Sequence, residues 1–324
     1  MSQCDTISID GSTMTDQPHP GGLGRIGTNT VARIGYGAMQ LDEAVSAHDA
    51  AAVLGRAVEL GVNHIDTASF YAGGEVNRRI RQALAPYRDD LVIVSKVGAS
   101  HDADGPIPLK AAQKPAELRA AVEDDLRELG LDSVPVVNLR RLDLGPGLAA
   151  EGDQIVDLDD QLAEMIALRD EGKIGAIGIS NVPLDVLQRA LPAGIVCVQN
   201  AYSLLDRAHE AMLELCSAEG IAWVPFFPLG SSFPGFPKVA ENDAVRKVAD
   251  DREATPAQVG LAWLLAHAPN TLLIAGTRSI THLEENIGVG DIVLSADEIA
   301  RLDSVSTPNV DPPRHGVEAF TEQR

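Results

Sequence analysis

The chain is 324 residues long, 45% hydrophobic and 23% charged, which suits two ordinary domains or one large α/β barrel. Its 47 acidic residues against 26 basic ones leave a formal charge of -21, a field that repels phosphodiester backbones and anionic bilayers, so neither nucleic acid nor a membrane surface is expected as a partner. The three cysteines, Cys4, Cys197 and Cys216, have no CxxC spacing, which argues against a disulfide framework or zinc ribbon and for a reducing cytoplasm.

The first residues, MSQCDTISIDGSTMTDQPHPGG, lack a basic n-region and an apolar h-region, and no apolar run approaches the ~18 residues of a membrane helix. Residues 1–21 are expected to be a flexible arm on an unprocessed, soluble protein. The run GLGRIGTNTVAR then alternates apolar and polar residues around Gly27, Thr28 and Asn29, the chemistry of a tight hairpin that could plug one end of a barrel. After the hairpin, β-branched runs alternate with amphipathic stretches at the spacing of βα units. Eight buried strands are expected, at 34–36, 63–66, 91–96, 134–139, 176–180, 196–199, 222–226 and 272–275. Ser46 caps a helix that stops at Gly61, and Pro115 opens one that stops at Gly130. Further helices are expected over 158–172, 210–220, 256–268, 281–287 and 295–305. Without a linker or low-complexity tract, residues 22–324 read as one α/β domain, a (β/α)8 TIM barrel carrying an N-terminal β-hairpin. An open doubly wound sheet would need a Gly-rich dinucleotide loop after its first strand, and IGYGAMQL does not supply it.

In a parallel barrel the active site lies at the C-terminal ends of the strands, so polar residues that end apolar runs are informative. Those residues are Asp66, Lys96, Arg140, Ser180 with Asn181, Gln199 with Asn200, and Phe226, all around one mouth. A single carboxylate there often caps a helix and a single ammonium often reaches to water, but Asp66 and Lys96 end successive strands and can pair. Tyr71 is their natural neighbour, five residues after Asp66. A phenol, with a pKa of about 10, is a poor acid until a nearby ammonium favours the phenolate, which makes Tyr71 a plausible proton donor. Trp223, Trp263, Met165 and Met212 read as core. Glu123, Asp124 and Asp125 in VEDDLRELGLD read as a solvated helix face, and no metal site is expected.

Six blocks, GVNHIDTASFYAGGE, VIVSKVG, IGAIGISN, VCVQNAYS, VPFFPLG and LLIAGTRSITHLEENI, resemble aldo-keto reductases in order and spacing, from about residue 22 to about residue 305. The family fold is the (β/α)8 barrel. The resemblance implies Asp66, Tyr71 and Lys96 as catalytic residues, with Tyr71 protonating a carbonyl oxygen as hydride arrives from a reduced nicotinamide. It implies Ser180, Asn181, Gln199 and Phe226 at the nicotinamide, Leu229, Ser231 and Ser232 at the pyrophosphate, and Gly276, Thr277, Arg278, His282, Glu285 and Asn286 at the adenosine end. An Arg278 fork near the ribose favours NADPH over NADH. The chain departs from the family at Arg140, where most relatives have a catalytic His after the fourth strand. Arginine does not exchange protons at neutral pH, so Arg140 is expected to act as an electrostatic helper to Tyr71 and the developing alkoxide.

The blocks VVNLR, VQNAYS, GIAWVPFFPLG and AWLLAHAPNTLLIAGT are similar to a bacterial branch of the family that includes pyridoxal reductases, which implies pyridoxal or another aromatic aldehyde as substrate. Residues 98–114 and 141–157 would line the mouth. Two other functions are weighed: a cofactor-binding sensor barrel without turnover, suggested by the missing His, and a Schiff-base lyase using Lys96. Many relatives act as monomers, and a cytoplasmic monomer is expected.

Overall fold

The computed structural model describes residues 19–305, apart from 106, 146 and 232–236, and residue 307. Most of the arm expected over residues 1–21 lies outside the described residues. Alternating residues about the Gly27-Thr28 turn fold Leu23–Ile26 (β1) and Asn29–Ala32 (β2) into an antiparallel hairpin with Ile26 opposite Asn29. Its apolar side packs Ile26 and Val31 against Val92, Val94, Val136, Cys197, Ala222, Val224 and Leu272. Several of these residues begin barrel strands, so the hairpin seals the N-terminal end, as its sequence predicts. Asn63 ties it down, accepting from the Ala32 N–H at 2.7 Å and donating to the Thr30 carbonyl at 3.2 Å.

The remaining strands, in chain order, are Tyr36–Gly37 (β3), His64–Asp66 (β4), Val92–Val97 (β5), Ala99–His101 (β6), Leu109–Ala111 (β7), Val134–Arg140 (β8), Ile174–Ser180 (β9), Ile195–Gln199 (β10) and Ala222–Trp223 (β11). Seven of them form one parallel sheet in the order β3-β4-β5-β8-β9-β10-β11. The expected eighth strand at 272–275 is not a continuous strand, but it closes the barrel through isolated parallel bridges, Thr271 to Trp223 on one side and Leu273 to Ile34 on the other. Ladder bonds of 2.8 Å run from Leu272 N–H to Trp223 O, from Leu273 N–H to Arg33 O and from Gly35 N–H to Leu273 O. β11 is shorter than expected because Pro225 offers no N–H to the ladder, although Val224 and Phe226 still donate to Val198 and Asn200. The segment expected as a mouth loop at 98–114 contains the antiparallel hairpin β6–β7.

Ten α-helices cover the barrel among the described residues: Ala47–Glu59 (α1), Glu75–Leu84 (α2), Pro115–Leu129 (α3), Leu158–Asp170 (α4), Leu184–Ala190 (α5), Glu210–Glu219 (α6), Asp243–Asp251 (α7), Pro256–His267 (α8), Ile280–Gly288 (α9) and Ala296–Asp303 (α10). Ser46 caps α1 by accepting from Asp49 N–H at 3.0 Å, and Gly130 ends α3 in the left-handed region that favours glycine, as expected. Sequence patterning missed α2, α5 and α7. In α2 two of the four buried residues are Asn77 and Arg79, so its inner face does not read as apolar. Trp223, Trp263, Met165 and Met212 are core residues, and no described helix is long and apolar enough to cross a membrane.

At the mouth the first and last barrel segments touch backbone to backbone. A Cβ on Gly37 would lie 2.5 Å from the Ile274 carbonyl oxygen, and one on Gly276 the same distance from the Gly37 carbonyl oxygen. Gly37→Ala is therefore expected to force the seam apart and cost about 2 kcal/mol, read as a lower urea midpoint with the far-ultraviolet spectrum preserved. An unshifted midpoint would show that the seam has slack.

Candidate active site

Parallel pairing of β4 with β5, and of β5 with β8, places Asp66, Lys96 and Arg140 on neighbouring strand ends. Lys96 and Asp66 are 6% and 3% exposed. The Lys96 ammonium donates to Asp66 Oδ1 at 2.5 Å, to the Thr67 carbonyl at 2.9 Å and to the Tyr71 hydroxyl oxygen at 3.2 Å. All three of its donors are thereby committed. The other Asp66 oxygen accepts from Gln199 Nε2 at 2.6 Å, so Asp66, Tyr71, Lys96 and Gln199 form one hydrogen-bonded unit. Burial opposes the charge on Lys96, but Asp66 and Tyr71 outweigh it and hold the ammonium above its ordinary range. That arrangement places Lys96 as a hydrogen-bond donor and disfavours the free amine a Schiff base needs.

Tyr71 is held by a tight turn after Phe70, with the two rings edge to face at 5.2 Å. In that turn Ala72 adopts φ 48°, a conformation costly for a residue with a Cβ. Arg140 ends β8 opposite Ser180 of β9. Gln113 fixes its backbone, donating from Nε2 to the Arg140 carbonyl at 2.9 Å and also to the Gly98 carbonyl. The Arg140 guanidinium has its Nη1 buried without a hydrogen-bond partner. Burial lowers its pKa from the usual value, and the Tyr71 oxygen opposes that shift. Its neighbour Arg141, by contrast, is paired with Asp143 at 2.6 Å.

The other expected residues are distributed around this unit. Ser180 is buried at the end of β9, and no hydrogen bond engages its hydroxyl among the described residues. Gln199 keeps Oε1 buried and unpartnered. Asn181 has φ 59° and spends its amide N–H groups on the Arg141 and Leu144 carbonyls, both at 3.1 Å. Phe226 is half-buried beyond β11, edge to face with Phe227 at 5.1 Å, and Leu229 and Ser231 come after it. Ser232 lies outside the described residues. Gly276 sits at the barrel seam, and the Thr277 carbonyl accepts from the Tyr36 hydroxyl at 2.5 Å. Arg278 is exposed and makes no ion pair or hydrogen bond among the described residues, while His282, Glu285 and Asn286 lie further out on α9.

Two expectations need correction. Asn200 does not face the mouth: it is fully buried and bonds back to Val182, accepting from its N–H at 3.2 Å and donating to its carbonyl at 2.7 Å. Asp125 is not on a solvated face. It lies in the buried stripe Leu118, Val122, Asp125, Leu129 of α3, where helical spacing puts it inward. There it accepts from Asn77 Nδ2 at 2.7 Å, and Asn77 Oδ1 accepts from the Thr67 hydroxyl at 2.7 Å. The same Thr67 offers its carbonyl to Lys96, so the chain Asp125–Asn77–Thr67 braces the ammonium from outside the barrel. A carboxylate at an apolar position of α3 was the available sequence signal.

The Aldo/keto reductase family matches residues 33–307. A pyridoxine 4-dehydrogenase of Escherichia coli (strain K12) is 44% identical over 290 residues, 87% of this chain and 97% of that protein. An uncharacterized oxidoreductase of Schizosaccharomyces pombe is 35% identical over 87% of this chain and 89% of its own. Among solved structures, an aldo-keto reductase from Klebsiella pneumoniae in complex with NADPH superposes with a TM-score of 0.74 at 28% identity, covering 91% of this chain and 99% of that one.

Burial pushes the Asp125 carboxyl up to about 7, against the pull of the Asn77 hydrogen bond. The folded protein then keeps a proton there that the unfolded chain releases near 3.8, so this contribution is full at low pH and is lost as pH rises through about 7. Asp125→Asn, which cannot titrate, should remove that loss, worth up to about 4 kcal/mol. Urea midpoints of the two proteins measured between pH 4 and 8 should separate progressively from about pH 4 to about 7 and keep a constant gap above that; a gap that does not change between pH 4 and 7 would contradict the assignment.

Proposed function

The chain belongs to the aldo/keto reductase family and is an NADP-dependent oxidoreductase, and on that premise we propose that it reduces an aromatic aldehyde, pyridoxal first among candidates, with Tyr71 as proton donor. The observation that carries this reading is the single buried ammonium of Lys96 that bonds both Asp66 and the Tyr71 oxygen.

NADPH, when bound, supplies the hydride. The chain's residues do the rest. As the carbonyl oxygen gains negative charge, the Tyr71 hydroxyl passes it a proton, and the phenolate left behind is stabilised by Lys96 at 3.2 Å. Asp66 keeps that ammonium charged and Gln199 keeps Asp66 oriented, so no group has to reorganise during the transfer. Arg140 is too basic to be the donor, but its N–H groups and charge bear on Tyr71 and on an oxygen bound beside it.

The residues present fit the cofactor. The orphaned Gln199 Oε1 and the free Ser180 hydroxyl suit a carboxamide, with Asn181 contributing Oδ1 because its amide N–H groups are spent. Phe226 offers a ring to the nicotinamide, Leu229 and Ser231 lie beyond it toward the pyrophosphate, and Gly276, Thr277, Arg278, His282, Glu285 and Asn286 would hold the adenosine end. An unpaired guanidinium at Arg278, on a chain of charge -21, suits a 2′-phosphate. Pyridoxal is favoured because the Escherichia coli relative acts, by its name, at the 4-position of pyridoxine, whose oxidised form is an aromatic aldehyde.

Tyr71→Phe should lower NADPH oxidation with pyridoxal roughly a thousandfold, followed by loss of the reduced coenzyme's absorbance; a wild-type rate would end the proposal. Arg278→Ala should raise the KM for NADPH about tenfold and leave that for NADH in place. Equal changes for both coenzymes would place Arg278 away from the ribose phosphate.

A further inference from the structure

We infer that Arg140 is also the receptor for a second oxygen of the substrate, so that the preferred aldehyde carries an ionised oxygen on the carbon next to the one bearing the formyl group. This inference rests on the carbonyl-reductase reading above and adds a substrate class to it.

Among the described arginines that are not exposed, Arg140 alone meets neither a carboxylate nor a carbonyl. Arg79, Arg119 and Arg141 each meet a carboxylate, with Arg119 reaching Glu164 at 2.6 Å and Glu171 at 2.7 Å. With 47 acidic residues available, Arg140 has none within ion-pairing distance among the described residues, and its Nη1 is buried without a partner. A water molecule can satisfy an N–H group but cannot cancel a charge, and leaving a cation unpaired inside the protein is costly. The placement is also imposed. Gln113 holds the Arg140 carbonyl at 2.9 Å and is itself held by Gln161, whose Nε2 donates to Gln113 Oε1 at 3.0 Å.

Lys96 cannot do this work, because its three donors are spent. The guanidinium has five N–H groups in a planar fork that matches two oxygens side by side. A formyl oxygen and an ionised oxygen on the adjacent ring carbon present that pair. One edge of the fork would then serve the reacting oxygen beside Tyr71 while the second edge meets the fixed anion.

The test compares 2-hydroxybenzaldehyde, 2-methoxybenzaldehyde and 3-hydroxybenzaldehyde as substrates of the wild-type protein, Arg140→Met and Arg140→Lys with NADPH, over a pH range that ionises each phenol. Comparing ratios between proteins cancels the intrinsic reactivity of each aldehyde. The wild-type ratio of kcat/KM for the 2-hydroxy over the 2-methoxy compound should exceed the Arg140→Met ratio by about tenfold or more once the phenol is ionised, with Arg140→Lys in between. Ratios that agree within about twofold, meaning Arg140→Met slows all three aldehydes alike, would overturn the inference and confine Arg140 to the reacting oxygen. If the methionine variant does not fold, the lysine variant and the wild-type pH profile decide: a 2-hydroxy preference that ignores the phenol's ionisation overturns it equally. Failure of every aldehyde to oxidise NADPH would sink the reductase reading itself, whereas turnover without an ortho effect sinks only this step.

Discussion

The site depends on one ammonium with no unused donor. Lys96 is nearly enclosed, and an enclosed charge is tolerated only when its partners are complete; Asp66, the Thr67 carbonyl and the Tyr71 oxygen complete it. The three partners belong to one short stretch of chain that leaves β4, so this single group fixes a strand end, a turn and the Tyr71 phenol together. The unfavourable backbone angle of Ala72 is the local cost of that arrangement, and it persists because the ammonium and the Phe70 contact over-determine where Tyr71 sits.

Around that centre the barrel separates two kinds of task. Asp66 and Lys96, the charged pair, are on strand ends, with Asp66 opposite Val94 of β5 and Lys96 opposite Asn138 of β8, whereas Tyr71 reaches them from the turn after β4. Groups expected to meet the cofactor's outer end are on segments that come after strands, such as Thr277 to Asn286, with more freedom to change. Arg140 stands between the two classes: its backbone is in the β8 ladder and tied by Gln113, while its guanidinium has no ion-pair partner among the described residues and feels the Tyr71 oxygen. The sheet fixes where its backbone sits.

Much of this was legible in the sequence, for physical reasons. Strand ends were readable because fully buried parallel strands are short apolar runs, so a polar residue that stops one is conspicuous, as in VIVSK and VVNLR. Helix limits at Ser46 and Gly130 were readable because caps are local chemistry. The eighth barrel segment was located but not its form, since pairing by isolated bridges depends on the partners' geometry and not on local propensity. Asn200 illustrates another limit: its strand-end position is that of a mouth residue, yet its amide turns back to Val182, a choice made by contacts far apart in sequence. Asp125 was misread because charge was weighed above helical spacing; its place in the stripe with Leu118, Val122 and Leu129 was already decisive.

The β1–β2 cork has a consequence for how the enzyme resets itself. Below the ladder positions of Asn138 and Cys197 the barrel is filled by Ile26, Val31, Val92, Val94, Val136 and Leu272, aliphatic packing with no acceptor or donor in its side chains. A hydrogen ion cannot be relayed through such a filling. On the proposed role of Tyr71 as proton donor, its replenishment would come from bulk solvent above, along the same opening through which the product departs.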